Sequence, residues 1–308
     1  MTLFTGLSAF PLTPIDDEGQ LKSELLQRFL ERIVAARADS IGLLGSTGGY
    51  AYLTPEERKR TLRAAVDCVA GRTPLVVGVG ALTTDVAEDL ARDARKAGAD
   101  GLLLAPMSYQ PLTDDEVFRH FEAVAAAGEL PLCIYNNPGT TKFTFSPDLI
   151  ARLAEISNVA AVKMPLPADS DYAGEMWSLR AVTPDGFAVG YSGDWGAKDA
   201  LLAGGACWYS VVAGLLPEPA LALTRASQAG NAAEAERIDL IEIGDHIRLA
   251  QIDEGVIGGR AEDVAVLALD IAERAGVEPQ RLERIEPYGR PAFALGGGDR
   301  VCEFQKGR

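Results

Sequence analysis

The chain has 308 residues, 47% hydrophobic and 24% charged, with a net charge of −15. That length and apolar content support one large α/β barrel or two modest domains. The acidic balance excludes a nucleic-acid partner, which needs clustered Lys and Arg, and disfavours an anionic membrane surface; a small anionic substrate stays open, because a local site can be positive on an acidic protein.

Short, nearly continuous apolar runs are read as strands covered on both faces, and the amphipathic stretches between them as helices. A first strand at 3–9 leads to a helix at 24–38, where Leu25, Leu26, Phe29, Leu30 and Ile33 fall at helical spacing. A strand at 41–45 precedes a helix at 55–70, which Thr54 and Glu57 open as a capping box with Pro55 at its first position. The pairs 74–80 and 83–97, 101–106 and 114–127, 131–136 and 147–156, 159–164 and 173–181, 187–192 and 197–203, and 207–213 and 217–229 follow. Gly98, Gly128 and Gly230 are read as helix stops.

Eight strand–helix units predict a (β/α)8 TIM barrel over residues 1–230. An open, doubly wound sheet is the competitor, but it calls for a Gly-rich phosphate turn after the first strand. Here that strand runs into Ala9-Phe-Pro-Leu-Thr-Pro14. Helical patterns at 232–252 and 260–276 exceed the barrel's needs. Residues 231–308 are expected to form a C-terminal helical extension and tail packed as part of one domain. No run reaches the roughly 18 apolar residues of a membrane span, and the first twenty residues lack signal-peptide character. The four cysteines, Cys68, Cys133, Cys207 and Cys302, form no CxxC pair, so buried reduced thiols and a cytoplasmic location are expected.

Three features carry chemistry. Of seven lysines, Lys163 alone lies in an apolar strand, Val159-Ala-Ala-Val-Lys-Met. Burying an ammonium there is costly, which favours the neutral, nucleophilic amine, and the C-terminal end of a barrel strand opens on the usual active-site mouth. Tyr135 ends the preceding strand, in Tyr135-Asn-Asn-Pro138, where its hydroxyl can pass protons on the same barrel face. The turn Gly45-Ser-Thr-Gly-Gly49 offers backbone N–H groups and the hydroxyls of Ser46 and Thr47 to a carboxylate, with no metal. Taken singly, each has a plainer reading: a lysine that snorkels or pairs with a carboxylate, a packed tyrosine, a generic Ser/Gly loop. Two scattered histidines, His120 and His246, cannot build a metal site, so no metal or other cofactor is expected, and no GxSxG elbow supports serine hydrolysis.

Read in order, Ala9-Phe-Pro-Leu-Thr-Pro14, Gly45-Ser-Thr-Gly48, Leu53-Thr-Pro-Glu-Glu-Arg58, Tyr135-Asn-Asn-Pro138, Val162-Lys163 and Ser192-Gly-Asp194 resemble the dihydrodipicolinate synthase/N-acetylneuraminate lyase family over nearly the whole chain. The resemblance implies that Lys163 forms a Schiff base with pyruvate or another 2-keto acid and that Tyr135 is the general acid/base. It places Ser46 in a proton relay, Thr47 and Gly48 at the substrate carboxylate, and Gly193 opposite Lys163. It also implies a homotetramer built as a dimer of dimers. Three positions depart from the pattern: Thr140 stands where the synthases carry a carboxylate-binding arginine, Gly49 replaces a glutamate, and Tyr109 is displaced by one residue from the tyrosine lent across the dimer.

The expected activity is therefore that of a Schiff-base lyase, aldolase or dehydratase acting on a 2-keto acid. Ser, Thr and Tyr in the segments 108–112, 139–143 and 165–172 point to a hydroxylated substrate such as a 2-keto-3-deoxy sugar acid, with Tyr109 and Thr140 as substrate-binding candidates. The alternatives are 4-hydroxy-tetrahydrodipicolinate synthase activity and a barrel that binds a 2-keto acid without turning it over.

Overall fold

The computed structural model describes residues 3–16 and 19–239. The predicted helix at 260–276, most of the one at 232–252, His246, Cys302 and the tail lie outside the described residues. The strands are β1 (Gly6–Ala9), β2 (Ser40–Leu43), β3 (Leu75–Gly78), β4 (Gly101–Leu104), β5 (Leu132–Tyr135), β6 (Val159–Met164), β7 (Ala188–Ser192) and β8 (Cys207–Ser210). Each pairs in parallel with the next, and β8 pairs with β1, which closes the barrel in sequence order. The helices are α1 (Ser23–Ala36), α2 (Pro55–Val69), α3 (Thr84–Ala97), α4 (Asp114–Gly128), α5 (Pro138–Thr141), α6 (Pro147–Ala154), α7 (Tyr172–Val182), α8 (Ala197–Leu202), α9 (Pro217–Gln228) and α10 (Ala232–Ile238). None of them is long and apolar enough to cross a membrane.

The strands read as nearly continuous apolar runs because both of their faces are covered. Ile41, Leu43, Leu75, Val77, Leu102, Leu104, Ile134, Val162 and Trp208 join the helices in one buried cluster. Val76, Leu103, Cys133, Tyr135, Ala161, Ala188, Cys207 and Tyr209 fill the barrel interior in a second. Successive strand side chains alternate between faces, so Lys163 shares the inward face with Ala161.

The helix ends follow local chemistry. Thr54 accepts from the Glu57 N–H while the Glu57 carboxylate accepts from the Thr54 N–H, the predicted capping box, and Thr113 with Glu116 repeats it on α4. Gly98 stops α3 in the left-handed conformation. Gly128 does not stop α4: the left-handed cap falls on Glu129, and Gly128 is small because a Cβ there would lie 2.5 Å from Leu102. The apolar run at 207–213 also divides, into β8 and a 3-10 turn at Val212–Gly214.

The N-terminal end of the barrel is tied by carboxylates. Asp39, before β2, accepts the Leu7 N–H of β1 at 2.7 Å and holds Arg225 of α9 through both oxygens. Asp100, before β4, does the same for the Leu75 N–H of β3 at 2.8 Å.

Candidate functional site

At the C-terminal end of the barrel the inward residues of β5 and β6 meet. Tyr135 and Lys163 are paired in register, and Lys163 in turn faces Gly190 of β7. The Lys163 amine, only 5% of the residue being exposed, lies 4.1 Å from the Tyr135 ring centroid, 4.2 Å from that of Phe10 and 5.7 Å from that of Tyr209. Ring faces attract a cation without offering a basic atom. Among the described residues no carboxylate lies within ion-pairing distance of this amine.

Glycines make room for these rings. A Cβ at Gly42 or Gly45 would lie 2.2 Å or 2.6 Å from the Phe10 ring, and one at Gly190 would lie 2.7 Å from the Tyr209 ring. The aromatic walls around the amine are thus written partly as glycines on β2, in the following turn and on β7.

The Tyr135 hydroxyl shares a hydrogen bond of 3.1 Å with Ser46 and accepts one of 2.9 Å from the Asn137 side-chain amide. Burial pushes its phenol up, but the adjacent Lys163 charge and the bonds to Ser46, Asn137 and Lys163 outweigh it, so its pKa lies below the ordinary tyrosine value. A phenol so placed can give and take a proton beside the amine.

Ser46 belongs to the turn after β2. Leu44 holds a left-handed backbone (φ 57°) and sends its carbonyl over Gly78, where a Cβ would lie 1.9 Å from that oxygen. A buried, β-covered leucine in this conformation stores strain of the kind found at ligand sites. In the turn, Gly49 donates to the Ser46 carbonyl, whereas the N–H groups of Ser46, Thr47 and Gly48 have no hydrogen-bond acceptor among the described residues. Three such N–H groups beside a nucleophile can hold a carboxylate. Gly48 is buried, and a Cβ there would press on Thr13 and the Leu44 backbone.

Arg58, on α2, fixes the neighbouring strand end. It is 5% exposed and donates to the carbonyls of Gly78 at 2.7 Å and Gly80 at 2.9 Å, with its guanidinium 5.3 Å from the Tyr50 ring centroid. Burial lowers its pKa to about 10, with Tyr50 pulling the other way. Burial also pushes the Tyr50 phenol up, and the nearby Tyr135 adds to that.

The remaining predicted residues are spread around the rim. Gly193, with φ 103°, follows β7; a Cβ there would lie 2.8 Å from Leu166 and 3.5 Å from Trp195. Thr140 is exposed on α5 and turns its hydroxyl to the Asn137 carbonyl at 3.3 Å. Tyr109 is 92% exposed on the β4–α4 loop, so within one chain it is not brought to the amine. His120 is half-buried beside Thr84 (2.9 Å), and burial lowers its pKa. Among the described residues no group of three His, Cys, Asp or Glu could hold a metal ion.

Sequence reasoning named neither Asn137, Phe10, Tyr209 nor Arg58 as functional. Phe10, Arg58 and Asn137 lie inside the family-like motifs, but only the geometry shows which atoms they address.

Comparison with known proteins agrees with this geometry. The model of the dihydrodipicolinate synthetase family matches residues 3–247. The 4-hydroxy-tetrahydrodipicolinate synthase of Methylibium petroleiphilum is 34% identical over 239 residues, which cover 77% of this chain and 80% of that protein. A solved dihydrodipicolinate synthase of Agrobacterium tumefaciens is 53% identical, with a TM-score of 0.82 over 89% of each chain. YagE, a prophage protein of the dihydrodipicolinic acid synthase family from E. coli K12 solved with pyruvate, is 28% identical, with a TM-score of 0.76 over 88% of each chain.

Proposed function

The chain belongs to the dihydrodipicolinate synthetase family and is a lyase of aldolase type, and from that premise we propose that it works through a Schiff base between Lys163 and pyruvate or a related 2-keto acid. The observation that carries this reading is the buried Lys163 amine, with no carboxylate in ion-pairing distance among the described residues and set 4.1 Å from the ring centroid of a tyrosine whose hydroxyl is bonded to Ser46.

In this reading the substrate carboxylate rests on the open N–H groups of Ser46, Thr47 and Gly48. The Lys163 nitrogen adds to the keto carbon, and Tyr135, relayed by Ser46, gives the proton with which the carbinolamine hydroxyl leaves as water. The resulting iminium draws an electron pair from C3, either from a C–H bond or from the C–C bond being cleaved, and becomes an enamine. Addition of that enamine to an aldehyde is condensation, the reverse is cleavage, and expulsion of a hydroxyl on C4 is dehydration. Phe10 and Tyr209 offer their faces to the positive charge on the nitrogen while it lasts.

The relatives support 4-hydroxy-tetrahydrodipicolinate synthase activity, with aspartate semialdehyde as the acceptor, over the sugar-acid reading drawn from loop composition. One observation favours a different partner: Thr140 and Gly139 present no guanidinium to a second carboxylate. Exposed Leu82 and Tyr109 on neighbouring loops support contact between copies in a homotetramer, and the free thiols Cys68, Cys133 and Cys207 suit a cytoplasmic enzyme.

Borohydride reduction in the presence of pyruvate, followed by peptide mass analysis, tests the mechanism. An adduct on Lys163 that is absent from Lys163→Ala is expected; no adduct with pyruvate or larger 2-keto acids overturns it. A coupled assay with pyruvate and aspartate semialdehyde then decides the acceptor. Little turnover at saturation removes the synthase reading and directs the search to 2-keto-3-deoxy acids.

A further inference from the structure

Asn137 occupies the position before α5 where an asparagine ordinarily caps its own helix, yet its side chain makes no capping bond. Its backbone carbonyl does that work instead, accepting from the N–H groups of Thr140 and Thr141 and from both threonine hydroxyls. The amide is left free to reach back over two residues to the Tyr135 hydroxyl at 2.9 Å. That hydroxyl is buried, and its other side-chain neighbours are Ser46 and Lys163.

We propose that Asn137 is a positioning residue for the proton transfers of this site: its amide donates to the Tyr135 oxygen, aims the phenol proton toward Ser46 and the substrate, and favours Tyr135 as the base. The proposal rests on the Schiff-base reading above. It follows from hydrogen-bond accounting. A phenol oxygen that already accepts an N–H cannot point its own proton back along that line, so the proton is directed into the site. A bond donated to the oxygen also favours the phenolate over the phenol. Asn137 thereby steadies Tyr135 from within the chain, whereas Tyr109, exposed on its loop, is not brought to the site within one chain. The titratable groups that face Tyr135 are Lys163 on β6 and Tyr50 after β2; Tyr209 on β8 and Cys133 on β5 lie against Lys163.

The test needs pyruvate alone. Once the iminium forms, a methyl C–H bond breaks, its proton passes to the base, and its electron pair forms the C2–C3 double bond of the enamine. In D2O the return step delivers deuterium, so NMR reads the exchange rate as a function of pH. Asn137→Ala removes the donor, and Asn137→Asp keeps the shape while offering only acceptors and a charge. Both leave the backbone carbonyl that caps α5 in place, and a borohydride adduct on Lys163 shows that each variant's site is assembled.

In Asn137→Ala the rising limb of exchange is expected to move upward by about half to one pH unit, with about three- to tenfold slower exchange below it. Asn137→Asp should move it further. A limb that stays in place in both adduct-forming variants overturns the proposal and leaves the Schiff-base reading standing. An Asn137→Asp profile matching wild type overturns it as well, since the amide would then face Tyr135 with its oxygen. Absence of an adduct in the wild-type protein overturns both.

Discussion

The two ends of the barrel use the same strands for opposite purposes. At the N-terminal end, strand N–H groups are satisfied in place: Asp39 takes Leu7 and Asp100 takes Leu75, and Arg225 locks Asp39 to α9. Gly6, at φ 79°, leaves room for the Asp39 carboxylate, which a Cβ would meet at 2.0 Å. At the C-terminal end, N–H groups of Ser46, Thr47 and Gly48 and a buried Lys163 amine that find no acceptor or counter-ion among the described residues persist beside a left-handed Leu44. One carboxylate holds that rim as well. Asp194 accepts from Trp208, Ser210 and the N–H groups of Val211 and Val212, and burial nevertheless pushes its carboxyl up. Satisfied polar groups give rigidity, and unsatisfied ones give a place for substrate. Substitutions at the N-terminal end should therefore cost stability and spare the adduct, while those in the mouth should do the reverse.

The largest effect is expected where the two demands coincide. Gly78→Ala puts a methyl 1.9 Å from the Leu44 carbonyl and beside the Arg58 contact. The turn at 45–49 cannot stay in place, so the loss should be about 3 kcal/mol or more in chemical denaturation, together with loss of the pyruvate adduct. Near-normal stability and trapping would show that the mouth tolerates displacement of this turn.

Asp39→Ala comes next. It leaves the Leu7 N–H without its acceptor and Arg225 without its partner, for about 2–3 kcal/mol. Adduct formation at saturating pyruvate should persist in whatever fraction is folded. A variant that unfolds little but fails to trap pyruvate would break the division between the ends.

Ser46→Ala should invert that pattern. The residue is exposed, and among the described residues its hydroxyl hydrogen-bonds to Tyr135 alone. Stability should change by less than about 0.5 kcal/mol, while proton exchange on bound pyruvate slows about 10- to 100-fold. An unchanged rate would remove Ser46 from the relay.

This division also explains what could be read in advance. The barrel was legible because strands covered on both faces have one apolar signature, and Lys163 stood out by interrupting it. The Thr54–Glu57 cap was legible because its donors and acceptors are three residues apart. Elements set by distant partners were not. The run at 207–213 is apolar but for Ser210, and its break there is made by Asp194, whose carboxylate gathers the Ser210 hydroxyl and the N–H groups of Val211 and Val212. Helix α5, Pro-Gly-Thr-Thr, is too short for any periodicity. The α4 stop was misplaced by one residue because Gly128 serves packing against Leu102, not the turn. Asn137 stood out only as part of the Tyr135-Asn-Asn-Pro138 motif, because nothing in the residue pattern reveals that its amide turns back to Tyr135 and away from its own helix.

The smallest effect, and the finest test of the contrast, belongs to Arg225→Ala. Arg225 is about half-exposed and bidentate on Asp39, whose Oδ2 still holds the Leu7 N–H once the guanidinium is gone. Solvent can reach the arginine side of the pair, so its removal should cost about 1 kcal/mol or less and weaken with added salt in the wild-type protein. Pyruvate trapping and exchange should be unaffected, because Arg225, in the last turn of α9, meets Asp39 at the end of the barrel away from Lys163. A loss comparable to that of Asp39→Ala would mean that the ion pair, not the bond to Leu7, holds β1 in the closed barrel, and that the N-terminal end is fastened through its helices rather than strand to strand.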